Sequence, residues 1–125
     1  MATSYLWRDL IDLGVVVTNG TDVPVEDIDP LVSFYASVSR MTKDGFAFMP
    51  EQVMTREEAL KSYTLNAAFA AFEEDDKGSL TAGKYADIVV LSKNIMEVPA
   101  EEILDAKVDL TLVGGEVKYQ RGDVQ

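Results

Sequence analysis

A run of three valines directly after a glycine restricts the possible folds more than any other feature of the sequence. Residues 4–13 carry apolar side chains at helical spacing, and Gly14 suits the C-terminal turn of that helix. Thr3 or Ser4 can cap its start. A short, unbroken β-branched run is typical of a strand buried on both faces of a parallel sheet. We therefore predict a strand over residues 15–17, which with the preceding helix forms half of a β/α repeat.

Two more helices are indicated farther along the chain. Asp29 precedes a proline and fits the N-cap position, and apolar residues then recur at helical spacing. Residues 42–54 show no period and are expected to form a loop. Thr55 and Glu58 have the spacing of a capping box, so a third helix is predicted from there to about Ala71.

The remaining sequence has strand patterns. Residues 86–91 and 107–113 are predicted strands, and residues 99–105 a single helical turn between them. Gly114 and Gly115 then form a two-residue hairpin turn into a return strand over residues 116–119.

The change of pattern near residue 77 predicts two parts, an α-rich part over residues 1–77 and a β-rich part over residues 78–125. A chain of 125 residues has about the length of one domain. The fold class expected for the isolated chain is α+β.

The composition limits the partners and the chemistry. A net charge of −11 with a pI near 4.2 repels phosphate backbones and anionic lipids, so neither nucleic acid nor a membrane is an expected partner. Cysteine and histidine are both absent, so this chain alone cannot complete a histidine-based triad or a zinc site. The first residues do not resemble a secretion signal, which predicts a cytoplasmic location.

Two motif-like segments are better explained as ordinary structure. Residues 78–84 match a phosphate loop, but Tyr85 stands where Ser or Thr should bind magnesium, and the segment opens a strand instead of a helix. The acidic residues near position 25 lack the central glycine and alternating ligands of a calcium loop. A turn and a solvated loop are the expected structures.

Asp22 is the strongest candidate for a functional residue. It lies in the polar stretch that follows the predicted valine strand, and functional groups of parallel α/β folds collect at the carboxyl ends of strands. A local hydrogen bond from its carboxylate to the turn backbone is the alternative explanation.

Three segments together resemble the C-terminal part of an amidohydrolase-superfamily enzyme, in the branch that includes N-substituted formamide deformylases. The resemblance covers residues 5–119. Its segments are YLWRDLIDLGVVVTNGTDVPVEDIDPL, MTREEALKSYTLNAAFAAFEEDDKGSLTAGKYADIVVLSKNIMEVPAEEI and VDLTLVGGEVKY.

The resemblance implies a (β/α)₈ barrel with one or two divalent metals, zinc being the expected ion, and a small β-sandwich built from both chain ends. Residues 15–18 would be the eighth barrel strand, and the later strands would belong to the sandwich. Asp22 would approach the metal and take a proton from its bound water, as metal-assisted hydrolysis of a small amide substrate requires. Asp87 would hold the fold by meeting backbone donors.

The sequence departs from the family pattern in its metal ligands. The family also uses a His-x-His pair, a bridging carboxylate or modified lysine, and two later histidines. This chain contains no histidine and so supplies none of the histidine ligands. The isolated chain is therefore expected to be inactive and to hold no metal. A free-standing acidic binding module and one half of a split hydrolase are the alternatives. Because the valine strand would lack neighbours, a homodimer or larger self-assembly is expected.

Overall fold

The computed structural model describes residues 4–122 as an α+β fold, which confirms the expected class. Helices occupy the first part of the chain, and a three-stranded antiparallel sheet occupies the last part. The elements are α1 (Trp7–Asp12), α2 (Pro30–Ser39), α3 (Arg56–Tyr63), α4 (Leu65–Ala70), β1 (Ile88–Leu91), β2 (Val108–Val113) and β3 (Glu116–Gln120). Short 3₁₀ helices span Pro50–Gln52 and Ala100–Asp105.

Helix α1 is shorter than the sequence predicts. It begins at Trp7, and its N-cap residue is Leu6, which makes no side-chain capping bond. Ser4 is therefore not the cap, and Thr3 lies outside the described residues. Gly14 ends the helix as expected, with a φ of +79° that a glycine adopts without strain.

The valine run predicted as a buried strand is not part of a sheet within residues 4–122, and its place as an eighth barrel strand stays a prediction. The described sheet contains only β1, β2 and β3, so no neighbouring strand pairs with the valines. A strand exists only through its ladder of hydrogen bonds to a neighbour, which local sequence cannot supply. Val15 and Val16 keep 48% and 49% of their surface exposed, as expected for a strand sequence that lacks both neighbours.

The caps of α2 and α3 confirm two local predictions. Asp29 accepts the backbone N–H of Leu31 at 2.9 Å. The Thr55 hydroxyl accepts from the backbone of Glu58 at 3.2 Å, and the Glu58 carboxylate accepts from the Thr55 N–H at 2.8 Å. The predicted continuous helix is wrong, because Thr64 (φ −125°, ψ −91°) separates α3 from α4.

The sheet follows the sequence pattern closely. β2 is central, with antiparallel partners on both sides, and the strand order is β1-β2-β3. Gly114 and Gly115 join β2 to β3 with φ values of +58° and +82°, the paired positive values of a type I′ hairpin turn. The 3₁₀ helix Ala100–Asp105 lies between β1 and β2, where a helical turn was predicted.

The core joins residues from both ends of the chain. Its buried members are Phe34, Met54, Ala59, Ile95, Ile103 and Ala106. Helix α2 packs against the 3₁₀ helix Ala100–Asp105, which brings the two predicted parts into one cluster. The division near residue 77 stays a prediction.

A buried arginine fastens α1 to this body. Arg40 is 5% exposed, its Nε donates to the Phe48 carbonyl at 2.9 Å, and its guanidinium lies 4.2 Å from the Trp7 ring centroid. Stacking a cation on an indole ring is favourable and more so when both are desolvated. Burial lowers the pKa of Arg40 from its ordinary value.

Candidate functional site

Asp22 lies on an exposed turn that begins at its own carbonyl. The carbonyl accepts the backbone N–H of Val25 at 2.8 Å, and the residue has a φ of +57°. Aspartate tolerates this left-handed region better than most residues. Within residues 4–122 the Asp22 carboxylate receives no hydrogen bond, so the local bond expected as an alternative is absent there.

Hydrogen bonds to the buried residues Ser37 and Ser62 hold the backbone that leads to Asp22. Asn19 donates its backbone N–H to the Ser62 carbonyl at 3.1 Å and its side-chain amide to the Ser37 hydroxyl at 2.7 Å. Ser37 in turn donates to the Ser33 carbonyl at 2.9 Å. Ser37 and Ser62 are 0% and 1% exposed, so the buried partners of these bonds would be costly to leave unsatisfied.

Asn66 holds the same backbone from α4. Its side-chain amide donates to the carbonyl of Val17 at 2.8 Å. Sequence reasoning missed Asn66, Ser37 and Ser62, because their partners lie 18 or more residues away. A polar residue within an alanine-rich helix was the available signal for Asn66.

An ion pair braces α1 against α3 near the valines. Arg8 donates to both carboxylate oxygens of Glu58, at 2.7 and 2.8 Å. This bidentate bond from Arg8, together with the Thr55 N–H, lowers the pKa of Glu58 to about 2. The carboxylate is therefore ionised at neutral pH and committed to structure.

Two concave surfaces border α3 and α4. A cavity of about 210 Å³ lies beside the valines, with Glu58, Lys61 and Asn66 on its other side. A wider, mostly apolar groove of about 820 Å³ runs between α3, α4 and the exposed side of β1, and Leu60 and Tyr85 are among its lining residues.

The described residues do not form a metal centre. Across residues 4–122, no three of the residue types His, Cys, Asp and Glu are grouped to share an ion. Two acidic residues of the same loop have other contacts: Asp29 caps α2, and Glu26 pairs with Lys43 at 3.1 Å. Asp22 thus lacks the three or four protein ligands with which zinc is held against water.

The other residues singled out in the sequence have structural contacts. The Lys84 ammonium donates to the carbonyls of Glu74 and Lys77, so in this loop it is bonded to backbone. Asp87 accepts the Gly114 N–H at 2.8 Å, which confirms that it meets a backbone donor. None of the helices within residues 4–122 is long and apolar enough to cross a membrane.

Comparison with known proteins defines the class of this chain. A sequence model of the Amidohydrolase family matches residues 1–119. The chain belongs to the amidohydrolase family, as its sequence segments predicted.

Its relatives are longer proteins. The N-substituted formamide deformylase of Arthrobacter pascens is 32% identical over 114 residues, which are 91% of this chain and 21% of that protein. Protein LONG AFTER FAR-RED 3 of Arabidopsis thaliana is 38% identical over 117 residues, 93% of this chain and 20% of that protein. The chain therefore spans about a fifth of these relatives.

A solved structure shares the fold. The amidohydrolase from Thermotoga maritima superposes with a TM-score of 0.68 at 22% identity, over 94% of this chain and 26% of that one. The arrangement of helices and sheet described here thus recurs as a quarter of a larger amidohydrolase.

Proposed function

We propose that this chain is the C-terminal part of a metal-dependent amidohydrolase that hydrolyses amide or other non-peptide C–N bonds with activated water. Family membership supports the reaction class. The observation that carries the proposal is the placement of Asp22, whose exposed carboxylate has no hydrogen bond within residues 4–122 and stands on a backbone fixed by buried polar residues.

Asp22 acts in this proposal as the proton acceptor. A carboxylate that makes no internal bond is available to take a proton as water attacks a carbonyl carbon. The bonds to Asn19 and Val17 keep the preceding backbone in place. They help to maintain the orientation of the carboxylate, on which general-base catalysis depends.

The metal belongs to the complete enzyme in this proposal. A divalent ion, with zinc expected, would polarise the substrate carbonyl there. The described residues do not fit such an ion by themselves, since no three potential ligands are grouped among them. The 125 residues alone are accordingly proposed to be inactive, and hydrolysis of a small amide requires the rest of the enzyme. We propose a cytoplasmic location.

A chimeric enzyme tests the role of Asp22. In the Arthrobacter pascens deformylase, the segment that matches this chain is replaced by residues 5–119 of this chain, and hydrolysis of an N-substituted formamide is measured. We expect Asp22→Asn to lower kcat about 10²- to 10⁴-fold with little change in KM, because an amide cannot accept the proton. Asp27→Asn, an exposed acid on the same loop, serves as the matched control and keeps its rate within about twofold.

Equal rates for the Asp22→Asn and unsubstituted chimeras would reject the assignment. A bound-metal measurement on both proteins separates two causes of a loss. If the rate falls and the metal is retained, Asp22 acts in proton transfer. If both the rate and the metal are lost, Asp22 acts mainly as a metal ligand.

A further inference from the structure

Asn19 and Gly20 form the one asparagine-glycine pair of the sequence, and they lie in the loop just before Asp22. Gly20 is exposed and Asn19 is half-buried. The Gly20 backbone N–H donates to the side-chain oxygen Oδ1 of Asn19 at 2.9 Å. Because Oδ1 is bonded to the side-chain carbonyl carbon Cγ, this bond keeps the Gly20 nitrogen beside an electrophilic carbon. Holding two reacting groups together lowers the entropic cost of their reaction.

The residue after each asparagine separates Asn19 from the other two asparagines of the sequence. A backbone nitrogen that attacks Cγ closes a five-membered ring, and a side chain on the attacking residue crowds that ring. Glycine has no side chain and the widest backbone freedom. Asn66 is followed by Ala67 and lies within helix α4, and Asn94 is followed by the β-branched Ile95. Asn19 is therefore the asparagine at which this reaction meets the least obstruction.

We propose that Asn19 is a site of spontaneous deamidation, with water as the co-reactant. The Gly20 nitrogen loses its proton to hydroxide and attacks Cγ of Asn19, so an N–Cγ bond forms and the Cγ–Nδ2 bond breaks. Nδ2 takes a proton from water and leaves as ammonia. Water then opens the cyclic imide at either of its two carbonyls, which leaves aspartate or isoaspartate at position 19. The reaction uses only this chain and solvent, so it does not rest on the proposed function.

The product changes the contacts that hold the backbone before Asp22. Nδ2 of Asn19 donates to the Ser37 hydroxyl at 2.7 Å, and that hydroxyl already donates to the Ser33 carbonyl at 2.9 Å. A carboxylate in place of the amide sets two acceptors against each other beside a fully buried serine. Isoaspartate also adds a methylene carbon to the backbone. Deamidation is therefore expected to weaken the bond from the residue 19 N–H to the Ser62 carbonyl.

Peptide mapping by mass spectrometry tests the proposal on the purified chain, incubated in mildly alkaline buffer. We expect the peptide that contains Asn19 to gain the mass of replacing NH₂ by OH, with matching release of ammonia. In heavy-oxygen water, the label should enter residue 19. The peptides that contain Asn66 and Asn94 should keep their masses. Isomerisation at Asp44, which also precedes a glycine, changes no mass and is thereby distinguished.

Gly20→Ala is the matched control variant. It keeps the backbone N–H, the φ of Gly20 lies outside the left-handed region, and an added Cβ meets no atom within 4 Å. The variant should therefore keep the wild-type fold, which far-UV circular dichroism checks. We expect it to deamidate at least about tenfold more slowly than the wild-type chain, because the Cβ obstructs ring closure.

Three outcomes overturn the proposal. They are an unchanged mass at Asn19 after a free peptide of residues 15–25 has converted completely, equal rates for the wild-type chain and Gly20→Ala, and earlier conversion at Asn66 or Asn94. Amide hydrogen exchange tests the structural consequence. The residue 19 amide should exchange at least about tenfold faster in the deamidated chain than in the fresh chain. Equal exchange would reject the predicted loosening of the backbone.

Discussion

The C-terminal sheet and the valine segment near the N-terminus, residues 15–18, have similar strand-like sequences but different structures. In the sheet, β2 pairs with β1 on one side and with β3 on the other, all within 33 residues from Ile88 to Gln120. The valine segment has no strand partner within the described residues, and Val15 and Val16 are half exposed. The difference shows that a β-branched sequence specifies a tendency to pair, whereas the ladder also requires a partner strand.

The largest expected contrast is between a core residue and a valine of the segment. Ile103→Ala should lower the free energy of unfolding by about 2–5 kcal/mol, because Ile103 is fully buried and the substitution leaves a cavity. Val16→Ala should change it by less than about 0.5 kcal/mol, since no ladder depends on it. Urea denaturation followed by circular dichroism measures both. A large loss for Val16→Ala would mean that the segment is already packed in the free chain.

The sequence predicts the sheet well because its signals are local. Gly114 and Gly115 specify the hairpin, and Thr55 with Glu58 specifies the start of α3. Neither a glycine nor a proline marks the break at Thr64 in the sequence. Gly78 lies beside the Thr64 carbonyl, a contact between distant positions that local sequence does not indicate.

The candidate site is predictable only in part for the same reason. Asp22 is found from its place after a valine run. The residues that fix its backbone, Asn66, Ser62 and Ser37, are separated from their partners by 18 to 49 positions. Long-range hydrogen bonds leave no periodic pattern in a sequence, so these residues emerge only from the folded structure.

The second contrast concerns two glycines that flank the loop before β1. Gly78→Ala should cost about 2–4 kcal/mol, because an added Cβ would lie 2.8 Å from the Ala68 Cβ and φ is +88°. Gly83→Ala has open space around it and strains only its φ of +98°, so about 1 kcal/mol is expected. Thermal unfolding of the two variants gives the comparison. Equal losses would show that backbone strain alone explains both positions.

The third contrast is between a part-buried ion pair and an exposed one. Glu58→Gln removes the bidentate bond to Arg8 and should cost about 1–2 kcal/mol at pH 7. Glu57→Gln breaks the exposed pair with Lys61 and should cost less than about 0.5 kcal/mol. Denaturant titrations at neutral pH measure the two differences.

The pH dependence of stability sharpens this result. The pKa of Glu58 is about 2 in the folded chain against an ordinary value of 4.5, so its contribution is present above about pH 4.5 and is lost as pH falls toward 2. Subtracting the Glu58→Gln curve from the wild-type curve isolates this contribution. A difference that stays constant from pH 6 to pH 2 would contradict the role of ionisation.

The smallest expected effect is at the hairpin. Asp87→Ala removes the acceptor of the Gly114 N–H and should cost about 0.5–1.5 kcal/mol, because the amide lies at an exposed turn where water replaces the carboxylate. Asp76→Ala, an exposed acid outside the sheet, is the control. Hydrogen exchange of the Gly114 amide should accelerate in the Asp87 variant alone. Unchanged exchange in that variant would show that Asp87 does not bond the Gly114 amide.

Residue-resolved amide hydrogen exchange of the chain alone is the most direct test of the difference between the two regions. We expect the amides of Val16 and Thr18 to exchange within about tenfold of unprotected amides, while the amides of β2 are slowed by more than about 10³. Strong protection at Val16 and Thr18 would contradict this expectation, because the valine segment would then be paired within the chain or with a second copy.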